Sequence, residues 1–460
     1  MSRRQVVVLC TVGVTRRLLA HMPHLRAVGE RGFSAPLDTV FPAVTSTVQA
    51  SLVTGRAPRD HGAVANGWFD RDRAEIRFWG QHAGLVAGEK VWQAARALDD
   101  RHRTAYLCWW FAMGADVDTL VTPRPVYRYD GRKEPDCYTH PPGLRDVLTH
   151  TLGPFPLFRY WGPAADITST RWVIDAARLI LGSAAPDLSF VYVPHLDYDL
   201  QRYGPEGPEA IRAARRADAA LAPLLAELDE RGATVLALSE YGIRPVSRPV
   251  DINRTLRREG LLAVHAQRGM EYLDPHISRA FAVADHQVAH VYVRDPADVP
   301  RVRAVVAGLP GVEQVLDRQG QARLAVDHPR SGELVAVAEP DAWFTYYYWL
   351  DDARAPDFAR GVEIHRKPGY DPAELFFDPG RPAVRLRAGL TVLRKKLGMR
   401  APMTVVPLDA SLVRGSHGRL PDSDDDGPLL LCSEPSAERP RYRATDVKRL
   451  ILRLSGLGGP

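Results

Sequence analysis

Four short stretches hold residues whose types could do chemistry. The first is FPAVTSTVQASLVTG, Phe41 to Gly55, with Thr45, Ser46, Thr47 and Ser51 in an uncharged setting. An alcohol is a weak nucleophile at neutral pH and needs a base or a metal to activate it. The competing role for such a hydroxyl is to cap a helix start. The second stretch, YVPHLDYDLQRYGP, brings His195, Asp197, Asp199 and Gln201 close together. The third, LALSEYGIRPVS, carries Glu240 and Tyr241, and the fourth, GSHG, carries His417. Carboxylate and imidazole are the common ligands of divalent metals and the common general bases. Asp197 could equally form a turn, and Glu240–Tyr241 could be an ion pair and a packed ring. Small residues around His417 suit close approach to a ligand.

Elements must place these groups. Val6 to Val12 is a short apolar run of the kind that forms a buried parallel strand. Further strands are expected at Arg103–Phe111, Leu188–Val193 and Thr234–Ser239. Helices are expected at Thr15–Arg31, Val48–Thr54, Val91–Leu98, before Pro186, and over Glu209–Glu230. This alternation predicts a doubly wound, mostly parallel sheet with helices on both faces. Ligands in such sheets collect at the carboxyl ends of the strands, here just after Val12, Val193 and Leu238. The texture changes from about Val264 to Ala383, where short strand-like runs sit among Pro and Gly. The expected division is an α/β core at 1–263, an inserted α+β subdomain at 264–383, a return to the core at 384–421, and a polar tail at 422–460. A helix is expected at Asp446–Leu454. The aromatic run WFTYYYW, from Trp343, reads as packing.

Composition narrows the function classes. The chain has 460 residues, 45% hydrophobic and 25% charged, with a net charge of +5. That is ordinary for a globular protein and too balanced for a nucleic-acid surface. The Arg212–Arg216 cluster reads as a solvated helix face. Cys10, Cys108, Cys137 and Cys432 form no CxxC pair, so neither a disulfide framework nor a cysteine zinc site is expected. The basic start MSRR precedes an apolar run too short for a signal peptide, and no run reaches the length of a membrane span. A cytoplasmic location is the expectation.

In order, placement and wording these segments resemble the nucleotide pyrophosphatase/phosphodiesterase branch of the alkaline phosphatase superfamily. Phe41–Pro42 leads to Thr45, and LVTG follows at Leu52–Gly55. DHGAVANGWFDRD (Asp60–Asp72), GEKVW ending at Trp92, and PVSRPVDINRTLRREGLL after the Ser239 strand also match. The resemblance covers most of the first 265 residues and the His417 segment. It implies an alkaline-phosphatase-like fold, a Thr nucleophile at Thr45, and two metal ions, usually zinc, for phosphoryl transfer. It also implies substrate contacts at Gln49, Asn66 and Tyr241.

Several positions depart from that pattern. Val12 stands where the first strand should end in an Asp ligand, and Val48 where an Asn should help hold the phosphate, leaving Gln49 as the nearest stand-in. Asp197 and Gln201 stand for an Asp and a His four residues apart. Glu240–Tyr241 stand for an Asp-His pair. One site therefore keeps Asp197 and His417 with Gln201, and the other keeps Thr45 and Glu240. Alternate residues of an extended segment share a side. On that basis His195 is expected beside Asp197, forming a His/Asp/His site with His417; His286 and His365 are further contributors. One metal site is expected over two.

The expected function is metal-dependent hydrolysis of phosphodiester or pyrophosphate bonds, with a small phosphate-containing substrate. Thr45 would attack phosphorus, and Glu240 would complete the second site or act as a base. The alternative is a relative without catalysis that binds a phosphorylated or lipid-like metabolite.

Overall fold

The computed structural model describes residues 5–130, 132–380, 382–396 and 403–457. The basic start, residues 1–4, lies outside them, as do residues 397–402 of the expected return segment and 458–460 of the tail.

Thirteen strands carry the framework described here. In chain order they are β1 (Val6–Thr11), β2 (Phe33–Asp38), β3 (Thr104–Leu107), β4 (Thr119–Pro123), β5 (Cys137–His140), β6 (Leu188–Val193) and β7 (Thr234–Leu238). They continue as β8 (Ala280–Asp285), β9 (Val288–Val293), β10 (Val312–Leu316), β11 (Leu334–Ala338), β12 (Leu429–Cys432) and β13 (Tyr442–Arg443). The helices that matter for the site are α1 (Thr45–Thr54), α2 (Ile167–Ser183), α3 (His195–Tyr203), α4 (Pro208–Glu230) and α5 (Val384–Lys396).

The central sheet runs β13-β2-β12-β7-β1-β6-β3-β4-β5. β1 lies parallel between β6 and β7, with Thr11 opposite Val193 and Cys10 opposite Leu238. All six residues of β1 are buried, which explains the unbroken apolar run: both faces are covered by helices. The carboxyl ends of β1, β6 and β7 therefore finish side by side, next to Val12, His195 and Glu240. This is the mixed α/β architecture expected from the sequence.

Three local expectations changed. The helix expected at Thr15–Arg31 is two, Arg16–Leu19 and Pro23–Arg31, because the residue before a proline disfavours the helical region. The strand expected at Arg103–Phe111 stops at Leu107, where Cys108 and then Phe111 adopt positive φ. The segment read as a polar tail supplies β12, which lies antiparallel to both β2 and β7 inside the sheet. Its apolar run is only four residues long and follows the acidic stretch Asp422–Asp426, so it left little periodic signal. The C-terminal helix Val447–Leu454 buries Val447, Leu450, Ile451 and Leu454 and packs on α1.

A second sheet, ordered β8-β9-β11-β10 and antiparallel throughout, is built from the 264–383 region. Its apolar core gathers Trp343, Phe344, Tyr346, Tyr347, Tyr348 and Trp349, the aromatic run read as packing. Phe78, Trp79, Ala410 and Val413 join the same core. The β8–β9 turn, Asp285–Val288, reaches the His417 segment: the Gln287 amide donates to the His417 carbonyl at 2.9 Å.

Candidate active site

Thr45 opens α1 but does not cap it. The N-cap is Val44, which has no side chain to serve the role. All ten residues of α1 are buried, and the helix ends at Gly55 with φ 68°, a conformation glycine adopts without strain. The hydroxyls of the stretch divide by partner. Ser51 pairs with His61 at 2.8 Å, and Thr54 donates to the Ala50 carbonyl. Among the described residues, the Ser46 and Thr47 hydroxyls have no hydrogen-bond partner. Thr45, 3% exposed, is joined instead to the Tyr241 hydroxyl at 2.9 Å.

Tyr241 connects the nucleophile candidate to a carboxylate. Its hydroxyl donates to Asp197 Oδ1 at 3.4 Å, so Thr45 is the donor in the first bond. Burial pushes the Tyr241 phenol well above its ordinary range, with Asp197 and Glu240 adding to the rise. Burial also raises the Asp197 carboxyl to about 6, against opposing pulls from His286, Gln201 and Tyr241. Asp197 is thus ionised at neutral pH and close to the value that suits a general base.

The Tyr241 ring lies flat on the His417 ring, with centroids 3.7 Å apart and planes 5° apart. His286 covers the other part of the stack, 3.9 Å from His417 at 31°, and Tyr370 meets His286 edge-on. His417 Nδ1 donates to the Ala43 carbonyl, which leaves Nε2 unprotonated 4.0 Å from Asp197 Oδ1. Burial, then the neighbouring His286, holds the His417 pKa well below the usual range. GSHG needs its small residues: a Cβ on Gly415 would sit 2.1 Å from the Leu200 carbonyl oxygen. Gly418 has φ 123°, a conformation open to little else than glycine.

The remaining predicted residues fall in three places. Asn66 is held structurally: it accepts from the Ser46 amide and donates to Asp285 Oδ1, while its own amide meets Asp285 Oδ2. Asp285 also takes the Nδ1 proton of His286. This brace from the second sheet to the start of α1 is not foreseen from the sequence, where Asn66 is expected as a substrate contact and His286, not Asp285, draws notice. Gln49 Oε1 accepts from the Trp110 amide, and its side chain faces Glu240. Glu240 is fully buried, and among the described residues neither carboxyl oxygen closes a hydrogen bond. Burial pushes its pKa well above the ordinary carboxylate value, which favours the uncharged form; Gln49 and Cys10 pull less strongly the other way.

The segment expected to be extended, from His195, is helix α3. Residues two apart on a helix face apart, while those four apart share a face. Asp197 therefore keeps Gln201 beside it and loses His195. His195 lines a cavity of about 360 Å³ with Asp199, Arg202, Glu209, Arg212 and Arg216. Burial lowers its pKa to about 4. His365 lines a different cavity, walled by Trp110, Tyr160 and Trp161.

These residues do not fit the two-metal centre that the resemblance implied. Val12 has no donor atom, and Tyr241 spends its hydroxyl on Thr45 and Asp197. Glu240 is fully buried, with neither carboxyl oxygen in a hydrogen bond among the described residues. His286 and His417 lie ring on ring, so their in-plane lone pairs do not meet at a common point. Among the described residues, no group of three or more His, Cys, Asp or Glu is placed to hold a metal ion. The expected grouping of His195, Asp197 and His417 is corrected by the helical geometry of α3.

The family model for type I phosphodiesterase/nucleotide pyrophosphatase matches residues 6–371. The chain belongs to this family. An uncharacterized pyrophosphatase/phosphodiesterase of Schizosaccharomyces pombe is 24% identical over 244 residues, 49% of this chain. The match spans about two fifths of that relative, 41% of its length. Among solved structures, phosphonoacetate hydrolase from Sinorhizobium meliloti is similar in fold, with TM-score 0.60 and 15% identity over 98% of this chain and 96% of its own. Murine ectonucleotide pyrophosphatase/phosphodiesterase 5 is similar as well, with TM-score 0.59 and 15% identity over 99% and 96%. The family typically depends on divalent metal, which sets this chain's altered ligand positions apart from the family pattern. Among the described residues no helix is long and apolar enough to cross a membrane.

Proposed function

We propose that the protein hydrolyses a phosphodiester or pyrophosphate bond in a small substrate, with Thr45 as the nucleophile. The observation that carries this reading is the Thr45–Tyr241–Asp197 chain of hydrogen bonds at the strand ends. The Thr45 proton passes to Tyr241 as Tyr241 gives its own to Asp197, and Oγ1 bonds to phosphorus. The bond from phosphorus to the departing oxygen breaks, and that oxygen leaves with the proton held by Asp197. Water then cleaves the phospho-threonine and restores the hydroxyl. The start of α1 favours the phosphate charge, because a helix N-terminus carries partial positive charge. His417 and His286 position Tyr241 by stacking.

The test is turnover of bis(p-nitrophenyl) phosphate and of a phosphonate ester, with chelator or with added Zn²⁺ or Mn²⁺, beside Thr45→Ala. Turnover abolished by Thr45→Ala supports the reading. Absence of turnover on every ester in every metal overturns it.

One observation favours a second reading. Val12 and Tyr241 stand where the resemblance implies metal ligands, and burial raises the Glu240 pKa well above the ordinary carboxylate value, as expected of a relative that binds a phosphorylated metabolite without cleaving it. Binding of such a metabolite by wild type, with no turnover, would select it.

A further inference from the structure

Helix α5 has its apolar and half-buried faces reversed. Val384, Ala388 and Thr391, at i, i+4 and i+7, are only half-buried and make the inner face. The leucines lie on the opposite stripe, again at i, i+4 and i+7: Leu386 is 65% exposed, Leu390 49% and Leu393 53%. Three leucines aligned outward on one helix cost free energy in water and are not the scatter of single apolar residues that any surface shows.

The charge of the helix is one-sided. Its sequence, VRLRAGLTVLRKK, holds five basic residues and no acidic one. Helical spacing sets Arg387 and Arg394 beside the leucine stripe, and both are exposed. The contrast is with α4, where Arg212 pairs with Glu209. At 13 residues α5 is too short to span a bilayer, but a leucine stripe flanked by cations suits a helix lying in the headgroup layer. The long cationic stems keep their heads in the polar layer while the leucines enter the acyl boundary.

We infer that α5 is a docking element for an anionic lipid surface, with its leucine stripe inserted and its arginines on lipid phosphates and carboxylates. It contributes no residue to the Thr45–Tyr241–Asp197 chain, so docking does not require turnover.

The test is co-sedimentation of the full chain with vesicles of phosphatidylcholine alone, or of phosphatidylcholine and phosphatidylserine in equal parts, at low and high salt. The expected result is binding to the anionic vesicles that salt weakens. L386S/L390S/L393S and R387E/R394E should each lower it by about tenfold or more, and Thr45→Ala should leave it unchanged. The substituted leucines and arginines are on the outer stripe, and melting followed by circular dichroism checks that the variants fold. If the leucine variant fails that check, the charge reversal alone decides. Equal binding to the two vesicle types overturns the inference, as does unchanged binding by R387E/R394E. It is also overturned if light scattering finds a wild-type dimer that the leucine variant abolishes while vesicle binding persists.

Discussion

Two sides of helix α3 have opposite fates. One side carries Asp197 and Gln201 inward, to Tyr241 and Thr45. The other carries His195 and Asp199 to a charged cavity against α4. Both sides are rich in polar groups, and the sequence HLDYDLQ offers no local sign of which is which. The difference lies in what each side meets. Asp197 meets a hydroxyl chain leading to a buried alcohol, whereas His195 has, among the described residues, no hydrogen-bond partner on either nitrogen. Strand β7 repeats the contrast at its end: Tyr241 is joined to Thr45, and its neighbour Glu240 is buried beside Gln49 and Cys10 with neither carboxyl oxygen, among the described residues, in a hydrogen bond. Connection to Thr45, more than residue type, separates the two sets.

That distinction can be broken by substitution. Thr45→Ala should cost the most, about 10³-fold or more in kcat, since losing a nucleophile removes the covalent route. Next is Asp197→Asn, expected to lower kcat by about 10²-fold with little change in KM. It should also flatten the pH profile. In the wild type the ionised carboxylate is the acceptor, so activity should fall as pH drops through about 6 and be level above it. A wild-type profile with no limb near that pH would remove Asp197 from the base role.

His195→Leu should leave kcat unchanged and act on stability alone. The unfolded chain takes up a proton on His195 near its ordinary pKa, while the folded ring resists until about 4. Stability contributed by the neutral ring is therefore complete above the unfolded value and is lost as pH falls toward 4. The leucine variant should lose less stability on acidification, by about 1 kcal/mol at pH 5 in urea melts. A kcat loss on this substitution would return His195 to the site. Glu240→Gln should have the smallest effect, because burial favours the uncharged acid that glutamine mimics: kcat within about threefold and stability within about 1 kcal/mol. A large loss of activity there, with added metal stimulating the wild type and not the variant, would mean that Glu240 ionises and binds a cation.

The parts legible in the sequence are those with local periodicity. The apolar runs of β1, β6 and β7 and the long amphipathic α4 announce a parallel α/β sheet and fix where its strands end. The place of Thr45 came from the words around it, Phe41–Pro42 before and LVTG after. What the residues could not convey is direction. His195 and Asp197 share a side in a strand and oppose each other in a helix, and the proline before them fits either. The Asn66–Asp285 brace joins residues 219 apart in the chain, so no spacing rule could reveal it. β12 hid for a different reason: four apolar residues behind an acidic run carry too little pattern to outweigh their surroundings.

The position of β12 has a consequence for how the chain is made. β2, near the amino end, finds its neighbours β12 and β13 only within the last part of the sequence. During synthesis β2 must wait, its edge unpaired, until Leu429–Cys432 and Tyr442–Arg443 have left the ribosome, and an open strand edge invites pairing with other chains. His417 arrives almost as late and completes the ring stack over Tyr241. The nascent protein therefore passes through a long stage with its sheet unclosed and Thr45 unsupported, and a chain cut short before Leu429 would keep that exposure permanently.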